Sequence, residues 1–404
     1  MTALDDLAAR AHLGIKRGLE NSEALLEALG HPERSAPVVL VAGTNGKGST
    51  SALVASVLKA AKYRVGWATS PHLVSVRERI RIDGRALSEA KLETFLDEAL
   101  EAEARLGLAC TYFELILAAT WLAFRKARVD LAVVEVGLGG RWDATNACRP
   151  MLSVLTTVGL DHMALLGDTR EAIAREKLCI AREGRPLVLG PGLDLAWIEP
   201  LLECAPELRP AKALEGAWVR WRYSQVAGFN LPLAGAHQVQ NLATALETVA
   251  ALRGCGFPVP PAALAKGIAA TQWPGRLWSP PDLPLLTLDG AHNPQGVEAL
   301  VNHLLACGWA GDLFFGAMAD KDVRGVATQL ARLPIATLHF VRGRDPRYAT
   351  FEALGEAFGY PAKGMTLEEA ARHLKTTPTP SLVTGSLYLL GDLLSQWGFT
   401  ADTL

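Results

Sequence analysis

The stretch Gly43-Thr-Asn-Gly-Lys-Gly-Ser-Thr50 holds the densest chemistry in this sequence. Gly43, Gly46 and Gly48 allow tight turns that aim backbone N–H groups inward, and a helix-patterned segment from Ser49 to Ala61 follows. The first amides of that helix and its positive dipole end suit an anion. A triphosphate is the natural guest. Lys47 would reach the outer phosphates as a point charge, and the hydroxyl of Ser49 or Thr50 would sit near a phosphate-bound magnesium ion. The pattern departs from the usual phosphate loop, because Gly48 separates the lysine from Ser49 and the spacing from Gly43 is compressed. Without a ligand the same residues would make only a glycine-rich turn.

Other polar residues stand where apolar runs end. The run Val129 to Val136 reads as a central parallel strand, yet it carries Glu135. A carboxylate there is costly without a cation. Glu135 is therefore expected to bind magnesium, directly or through water, with a structural salt bridge as the other reading. Arg141 and Asp143, in the polar loop Gly137 to Asn146, look like substrate or phosphate contacts. The strand Arg64 to Thr69 ends at Ser70-Pro-His-Leu73, where Pro71 stops any ladder, so Ser70 and His72 are either site residues or a capped proline turn. His162 follows the strand Met151 to Val158 as part of Asp161-His162, and could serve as a ligand or as a core histidine. Lys177, on the amphipathic helix Thr169 to Ile180, reads locally as a solvated lysine. Thr111 and Glu114 have the spacing of a capping box. Asn241, in the first turn of a helix from about His237, could contact a base or cap. Lys16 and Arg17 could hold an anionic substrate arm or face solvent.

These residues need an open α/β scaffold that points strand ends at a ligand. The run Pro37 to Ala42 feeds the phosphate loop as a strand, and further apolar strands alternate with helical patterns. Residues 191–230 read as short strands or a connecting subdomain. Proline density from Trp273 to Pro284 marks a stiff linker, which divides the chain into residues 1–278 and residues 279–404. The second part repeats the pattern, with strands at Leu285 to Leu288, Leu313 to Gly316, Thr337 to Val341 and Ser381 to Thr384. Its polar residues Asp289, His292, Asp320, Lys321 and Asp322 cluster at strand ends and are expected to complete a site that neither domain holds alone. The fold class is α/β: a P-loop domain with a parallel-type sheet, followed by a smaller Rossmann-like domain.

Composition excludes several function classes. In 404 residues the net charge is −2, and no basic run is interleaved with aromatics, which argues against a nucleic-acid surface. The first residues are acidic where a signal peptide would be basic, and the most apolar stretch, Phe113 to Phe124, is too short to span a bilayer. Six scattered cysteines show no zinc spacing and read as reduced, mostly buried thiols. A soluble, cytoplasmic, monomeric protein is expected.

Together the motifs resemble the bacterial folylpolyglutamate synthase/dihydrofolate synthase family, relatives of the muramyl ligases. The resemblance runs from about Ala11 to Leu394, through GTNGKGS at Gly43 to Ser49, TSPHL at Thr69 to Leu73, TYFE at Thr111 to Glu114, EVGLGGRWDATN at Glu135 to Asn146, and DH at Asp161-His162. It continues through REK at Arg175 to Lys177, PGR at Pro274 to Arg276, LDGAHNP at Leu288 to Pro294, DKD at Asp320 to Asp322 and TGS at Thr384 to Ser386. It implies a Mur-ligase architecture whose C-terminal domain binds glutamate and closes over ATP. The implied reaction is an ATP-dependent ligation through an acyl phosphate, adding L-glutamate to a folate, to dihydropteroate, or to both. The family's ATP contacts map onto Asn45, Gly46, Lys47, Gly48, Ser49, Asn241, Arg276 and Asp289. Its magnesium ligands map onto Ser70, Glu135 and His162, and its pteroate contacts onto His12, Leu13, Gly14, Ile15 and Thr111, with Phe113 as a ring-packing neighbour. Arg141, Asp143 and His292 are added as substrate contacts. The resemblance places Lys177 beside His162 and a second Mg²⁺, where an ammonium would be repelled; Lys177 is therefore expected to be carboxylated on its terminal nitrogen. Trp142 stands where the family has leucine, and Leu178-Cys179 replaces Ala-Gly. Another Mur-type amino-acid ligase and a non-ligase P-loop ATPase are the competing readings.

Overall fold

Five apolar residues in a row cannot alternate between core and solvent, so Val38–Ala42 forms a strand buried on both faces, β1. The computed structural model describes residues 2–10, 14, 16–214, 216–220, 223–226 and 228–404, so the expected substrate contacts His12, Leu13 and Ile15 lie outside the described residues. β1 sits inside an eight-stranded sheet with β2 (Val65–Ala68), β3 (Ile80–Ile82), β4 (Arg85–Ala86), β5 (Leu131–Glu135), β6 (Leu152–Leu155), β7 (Pro186–Leu189) and β8 (Glu207–Pro210). The spatial order is β4-β3-β2-β5-β1-β6-β7-β8. Pairing is parallel from β2 to β8; β3 alone is reversed, antiparallel to both β2 and β4, and its turn into β4 holds Asp83 and Gly84, both with positive φ (51° and 77°). β1 thus lies between β5 and β6, and Val41 registers with Glu135 on one side and Val154 on the other. Ahead of β3 the chain makes a 3₁₀ turn, Val76–Arg79.

Helix Tyr112–Ala127 packs its apolar length against this sheet; Trp121 and Phe124 are buried and meet edge to face at 5.9 Å. Its start is fixed by the predicted capping box, with the Thr111 hydroxyl accepting from Glu114 N and the Glu114 carboxylate accepting from Thr111 N, an arrangement that contributes about 1 kcal/mol. The edge strand β8 is half exposed and carries Arg209 paired with Glu207 at 3.0 Å and Glu247 at 2.8 Å.

The chain forms two compact units. One comprises Met1–Ser70, Val76–Ala213 and Gln240–Ala270; the other comprises Pro71–Ser75, Leu214–Val239 and Thr271–Leu404. As compact units the chain thus divides at residue 270, eight residues before the boundary expected from sequence, with two earlier segments in the second unit. The reason is local pairing. Trp278 N donates to Leu288 O at 3.0 Å and Leu288 N donates to Trp278 O at 2.7 Å, which stitches the proline-rich stretch to a strand instead of leaving it as a spacer. The carbonyl of Leu73 likewise occupies the space a side chain would need at Gly391.

The second unit holds a three-stranded antiparallel sheet, β9 (Gly216–Arg220), β10 (Tyr223–Val226) and β11 (Phe229–Leu231). Its main sheet comprises β12 (Leu286–Leu288), β13 (Gly311–Phe315), β14 (Ile335–Val341), β15 (Gly364–Met365) and β16 (Ser381–Thr384), all parallel in the order β12-β16-β13-β14-β15. Alternation sorts its two faces: Phe314, Val341 and Val383 join one buried cluster, while Leu313, Phe315 and Phe340 join the other. No helix among the described residues is long and apolar enough to cross a membrane. All six cysteines are free thiols, but only Cys110 and Cys148 are buried, fewer than expected.

Candidate active site

The phosphate loop is shorter than the sequence suggests, because its helix starts at Lys47, two residues before Ser49. Gly46 sets that start. It is the N-cap with φ 85°, a left-handed turn that leaves its carbonyl accepting the first helical bond from Thr50 N at 2.9 Å. A Cβ on Gly46 would run into the side chain of Asn241, so the expected nucleotide contact Asn241 stands directly against the loop.

Two threonines after β6 brace the loop. Thr44 N donates to Thr157 O at 2.9 Å, Asn45 N to Thr157 Oγ1 at 2.9 Å, and Thr156 Oγ1 to Asn45 O at 2.6 Å. Thr44 Oγ1 exchanges bonds with Gly159, donating to its O at 3.1 Å and accepting from its N at 3.0 Å. Gly43, at φ 150°, accepts these neighbours only because it lacks a Cβ, which would collide with Thr156. Sequence reasoning missed Thr156 and Thr157, although a pair of strand-final threonines beside a glycine loop is the available signal.

Two lysines meet at this loop. Lys47 Nζ donates to Gly43 O at 3.0 Å and Thr44 O at 3.3 Å, and Lys177 Nζ donates to the same Gly43 O at 3.2 Å. Lys177 is 4 % exposed and is not the solvated helix lysine of the local reading. Burial and the neighbouring Lys47 charge pull its pKa down to about 7, against the opposing pull of Asp161 and Asp143.

Glu135 is buried at the end of β5, and its Oε2 accepts from Thr69 Oγ1 at 2.5 Å and from Ser70 N at 3.2 Å. The strand ends of β2 and β5 thereby bring Ser70 to Glu135. Thr69 was not singled out by sequence reasoning. His162 follows β6 in the left-handed region, φ 52°; its N donates to Asp161 Oδ1 at 2.9 Å, and its Nε2 lies 3.9 Å from the same oxygen.

The polar loop after β5 is organised by its own side chains. Asp143 is buried: its Oδ1 accepts from Thr145 N and Oγ1 at 3.0 and 2.5 Å, and its Oδ2 accepts from Leu138 N at 2.8 Å. Burial pushes its carboxyl up, while those donors pull it down. Arg141 pairs with Glu176 at 3.0 Å and Glu203 at 2.5 Å, and its N donates to Glu176 O at 2.9 Å, which fastens the loop to the helix that carries Lys177. The ring of Phe113 lies against Gly137 of this loop, whereas the Thr111 hydroxyl is engaged in the capping box, donating to Glu114 Oε2 at 2.8 Å. Gly14 has φ 66°.

In the second unit Asp289 directly follows β12, buried, with Oδ2 accepting from Leu277 N and Oδ1 from Ala291 N, both at 2.8 Å. Burial raises its pKa, and the nearby Arg276 charge lowers it. The Arg276 guanidinium lies against Gly290, and His292 Nδ1 bonds the Gly290 carbonyl at 2.9 Å, so these three expected residues form one local group.

Comparison with known proteins accords with this geometry. Residues 41–186 match the Mur ligase middle domain, and residues 279–383 match the Mur ligase, glutamate ligase domain. Folylpolyglutamate synthase of Lacticaseibacillus casei is 36% identical over 394 residues, covering 90% of this chain and 91% of its own. The chain belongs to the folylpolyglutamate synthase/dihydrofolate synthase family of Mur ligases. Within that family, the structure of Escherichia coli FolC in complex with DHPP and ADP superposes with a TM-score of 0.85 at 31% identity, covering 98% of both chains. A bifunctional folylpolyglutamate synthase/dihydrofolate synthase with Mn, AMPPNP and L-glutamate bound gives a TM-score of 0.83 at 31% identity, covering 99% of this chain and 98% of the other. As a member of the folylpolyglutamate synthase/dihydrofolate synthase family, the chain is an ATP-dependent ligase.

Proposed function

We propose that this ligase adds L-glutamate to a folate, to dihydropteroate, or to both, acting as a cytoplasmic monomer in folate biosynthesis and one-carbon metabolism. The observation that best supports this reading is the meeting of Lys47 and Lys177 at the carbonyl of Gly43 on a glycine-rich, helix-capping loop. In the first step an oxygen of the substrate carboxylate attacks the γ-phosphorus of ATP, the β–γ bridging P–O bond breaks, and ADP leaves. In the second, the amine of glutamate attacks the acyl carbon, the acyl C–O bond breaks so that inorganic phosphate departs with the bridging oxygen, and the nitrogen gives up a proton to solvent to become an amide.

In this reading Lys47 and the amides of Gly46, Gly48 and Ser49 spread the charge of the transferring phosphoryl group, for which no covalent enzyme nucleophile is required. Asn45 and Asn241 border the nucleotide, and Arg276 and Asp289 also serve ATP binding. His12 to Ile15, Thr111 and Phe113 serve the pterin-linked substrate, with Arg141, Asp143 and His292 as further substrate contacts. Residues 1–278 are assigned to ATP and folate, and residues 279–404 to glutamate.

Two magnesium ions are assigned to Ser70, Glu135, His162 and a carboxylated Lys177, and when bound they neutralise phosphate charge. The donor set fits a hard cation: Glu135 is a buried carboxylate already oriented by Thr69, and Lys177 becomes an oxygen donor once its amine has taken up CO₂. A pKa near 7 leaves about half of that amine neutral at neutral pH, as carbamate formation requires.

One assay tests the function. The protein is incubated with ATP, Mg²⁺ and dihydropteroate or tetrahydrofolate, with and without L-glutamate, and products are identified by mass. A glutamate-dependent mass gain matched by ADP is expected; equal ATP hydrolysis without glutamate, with no new amide, would favour the non-ligase ATPase.

A further inference from the structure

A group of side chains in the second unit has no part in the reaction above. Asp312 is the second residue of β13, and Phe314, two positions on, projects from the same face of that strand. His339 of β14 registers with Phe314 and stacks on its ring at 4.6 Å between centroids. Helix Leu367–Thr376 crosses this face and brings His373 to 5.6 Å from Phe314 and 5.5 Å from His339. One ligand-capable atom from each of Asp312, His339 and His373 lies within 4.8 Å of the others.

Two features set this group apart from an aromatic cluster that merely packs. His373 Nε2 is buried and has no hydrogen-bond partner, at a cost of about 1–3 kcal/mol for a polar atom so placed. The Asp312 carboxylate makes no hydrogen bond or ion pair with another described residue; the residue is 7 % exposed, and its oxygens, unlike His373 Nε2, keep some contact with solvent. A carboxylate and an imidazole left unpaired side by side are what a missing cation would satisfy together.

We propose that Asp312, His339 and His373 bind one divalent ion of the zinc class, with water completing the coordination. Two imidazole nitrogens and one carboxylate oxygen suit Zn²⁺ and its neighbours in the first transition row better than Mg²⁺, which prefers oxygen donors alone. Ligand atoms around a tetrahedral Zn²⁺ stand roughly 3.3 Å apart, so the side chains must draw in by about 1 Å, within reach of small χ rotations. Asp312 registers with Ser381 at the amino end of the sheet, three residues before Thr384, whereas the ligand crevice of an open parallel sheet lies beyond its carboxyl ends; His339, level with Phe314, stands one residue short of the level of Thr384. The ion would pin helix Leu367–Thr376 to β13 and β14 rather than touch substrate.

The full-length chain, stripped by chelator and carrying Glu135→Gln to weaken the catalytic metal site, is titrated with ZnCl₂ and, separately, CoCl₂ in excess Mg²⁺. The expected result is one tight equivalent of Zn²⁺, a tetrahedral Co²⁺ absorption spectrum and a raised Tm. Adding His373→Gln or Asp312→Asn should weaken binding at least tenfold and abolish the spectrum while the circular dichroism stays unchanged. The near-isosteric Asp312→Asn keeps the test decisive where the histidine variant fails to fold. No uptake by the parent chain, or identical uptake by parent and variants, overturns the proposal.

Discussion

Lys47 and Lys177 share one acceptor, the carbonyl oxygen of Gly43, at 3.0 and 3.2 Å. Burial, and after it the Lys47 charge alongside, drive Lys177 toward neutrality, to a pKa of about 7. Neutral amine reacts with CO₂ whereas ammonium does not, so this setting favours modification at Lys177.

Activity should therefore rise with pH through about 7 and depend on bicarbonate. Lys177→Ala should be nearly inactive and partly rescued by acetate or formate, read as amide product by mass. An unmodified, rescue-insensitive Lys177 would remove it from the metal site.

The same lysine predicts a stability profile. Its pKa falls from 10.5 unfolded to about 7 folded, so below pH 7 it is charged in both states and its burial penalty is fully present. Between those values the unfolded chain binds the extra proton, and stability rises with pH. In CO₂-free buffer Lys177→Met should be more stable by a few kcal/mol near pH 6, on the order of what such a shift implies, and should lose this rise in denaturant titrations across pH.

Lys47→Ala should fold normally by circular dichroism and lower kcat by roughly two to four powers of ten, as loss of a preorganised charge contact does. Wild-type turnover in the folded variant would remove the phosphate loop from the mechanism.

How far these residues could be read from sequence depends on what each one's role rests on. The strand Val38–Ala42, the capping box at Thr111 and the parallel C-terminal sheet are local signals, carried by period and spacing, and the fold follows them. Lys177 is different: nothing within its helix says it is buried, since the groups that bury it come from the loops after β1 and β5. Thr69 is equally silent in sequence, because a lone threonine that braces a neighbour looks like any other strand-end threonine. The helix start was misplaced by two residues because the φ of Gly46, not the apolar period, decides it.

Thr69→Val keeps the shape of the side chain but removes the hydroxyl that holds Glu135 Oε2. The Mg²⁺ concentration for half-maximal activity should rise roughly 10–100-fold with the fold intact. An unchanged Mg²⁺ requirement would separate Glu135 from the metal.

Gly46→Ala should cost about 1–2 kcal/mol for a left-handed non-glycine residue and displace Asn241. Calorimetric ADP binding should weaken more than folate binding. Asp289→Ala and Arg276→Ala should weaken ADP binding as well, and an isolated 1–272 fragment with full ligase activity would exclude that role.

Glu207–Pro210, one of the two edge strands of the eight-stranded sheet, has no further strand beside it among the described residues, which leaves one row of backbone groups unpaired by a strand. A long sheet with such a margin invites another polypeptide to add itself, the first event of fibril growth. Here the margin is only four residues, Pro210 offers no N–H, and Arg209, pinned between Glu207 and Glu247, places charge where an incoming chain would have to lie flat. The geometry that supports catalysis at the sheet's centre is thus paired with a border that resists self-association, and charge-neutral replacements at Arg209 are where this protein's colloidal behaviour should first change.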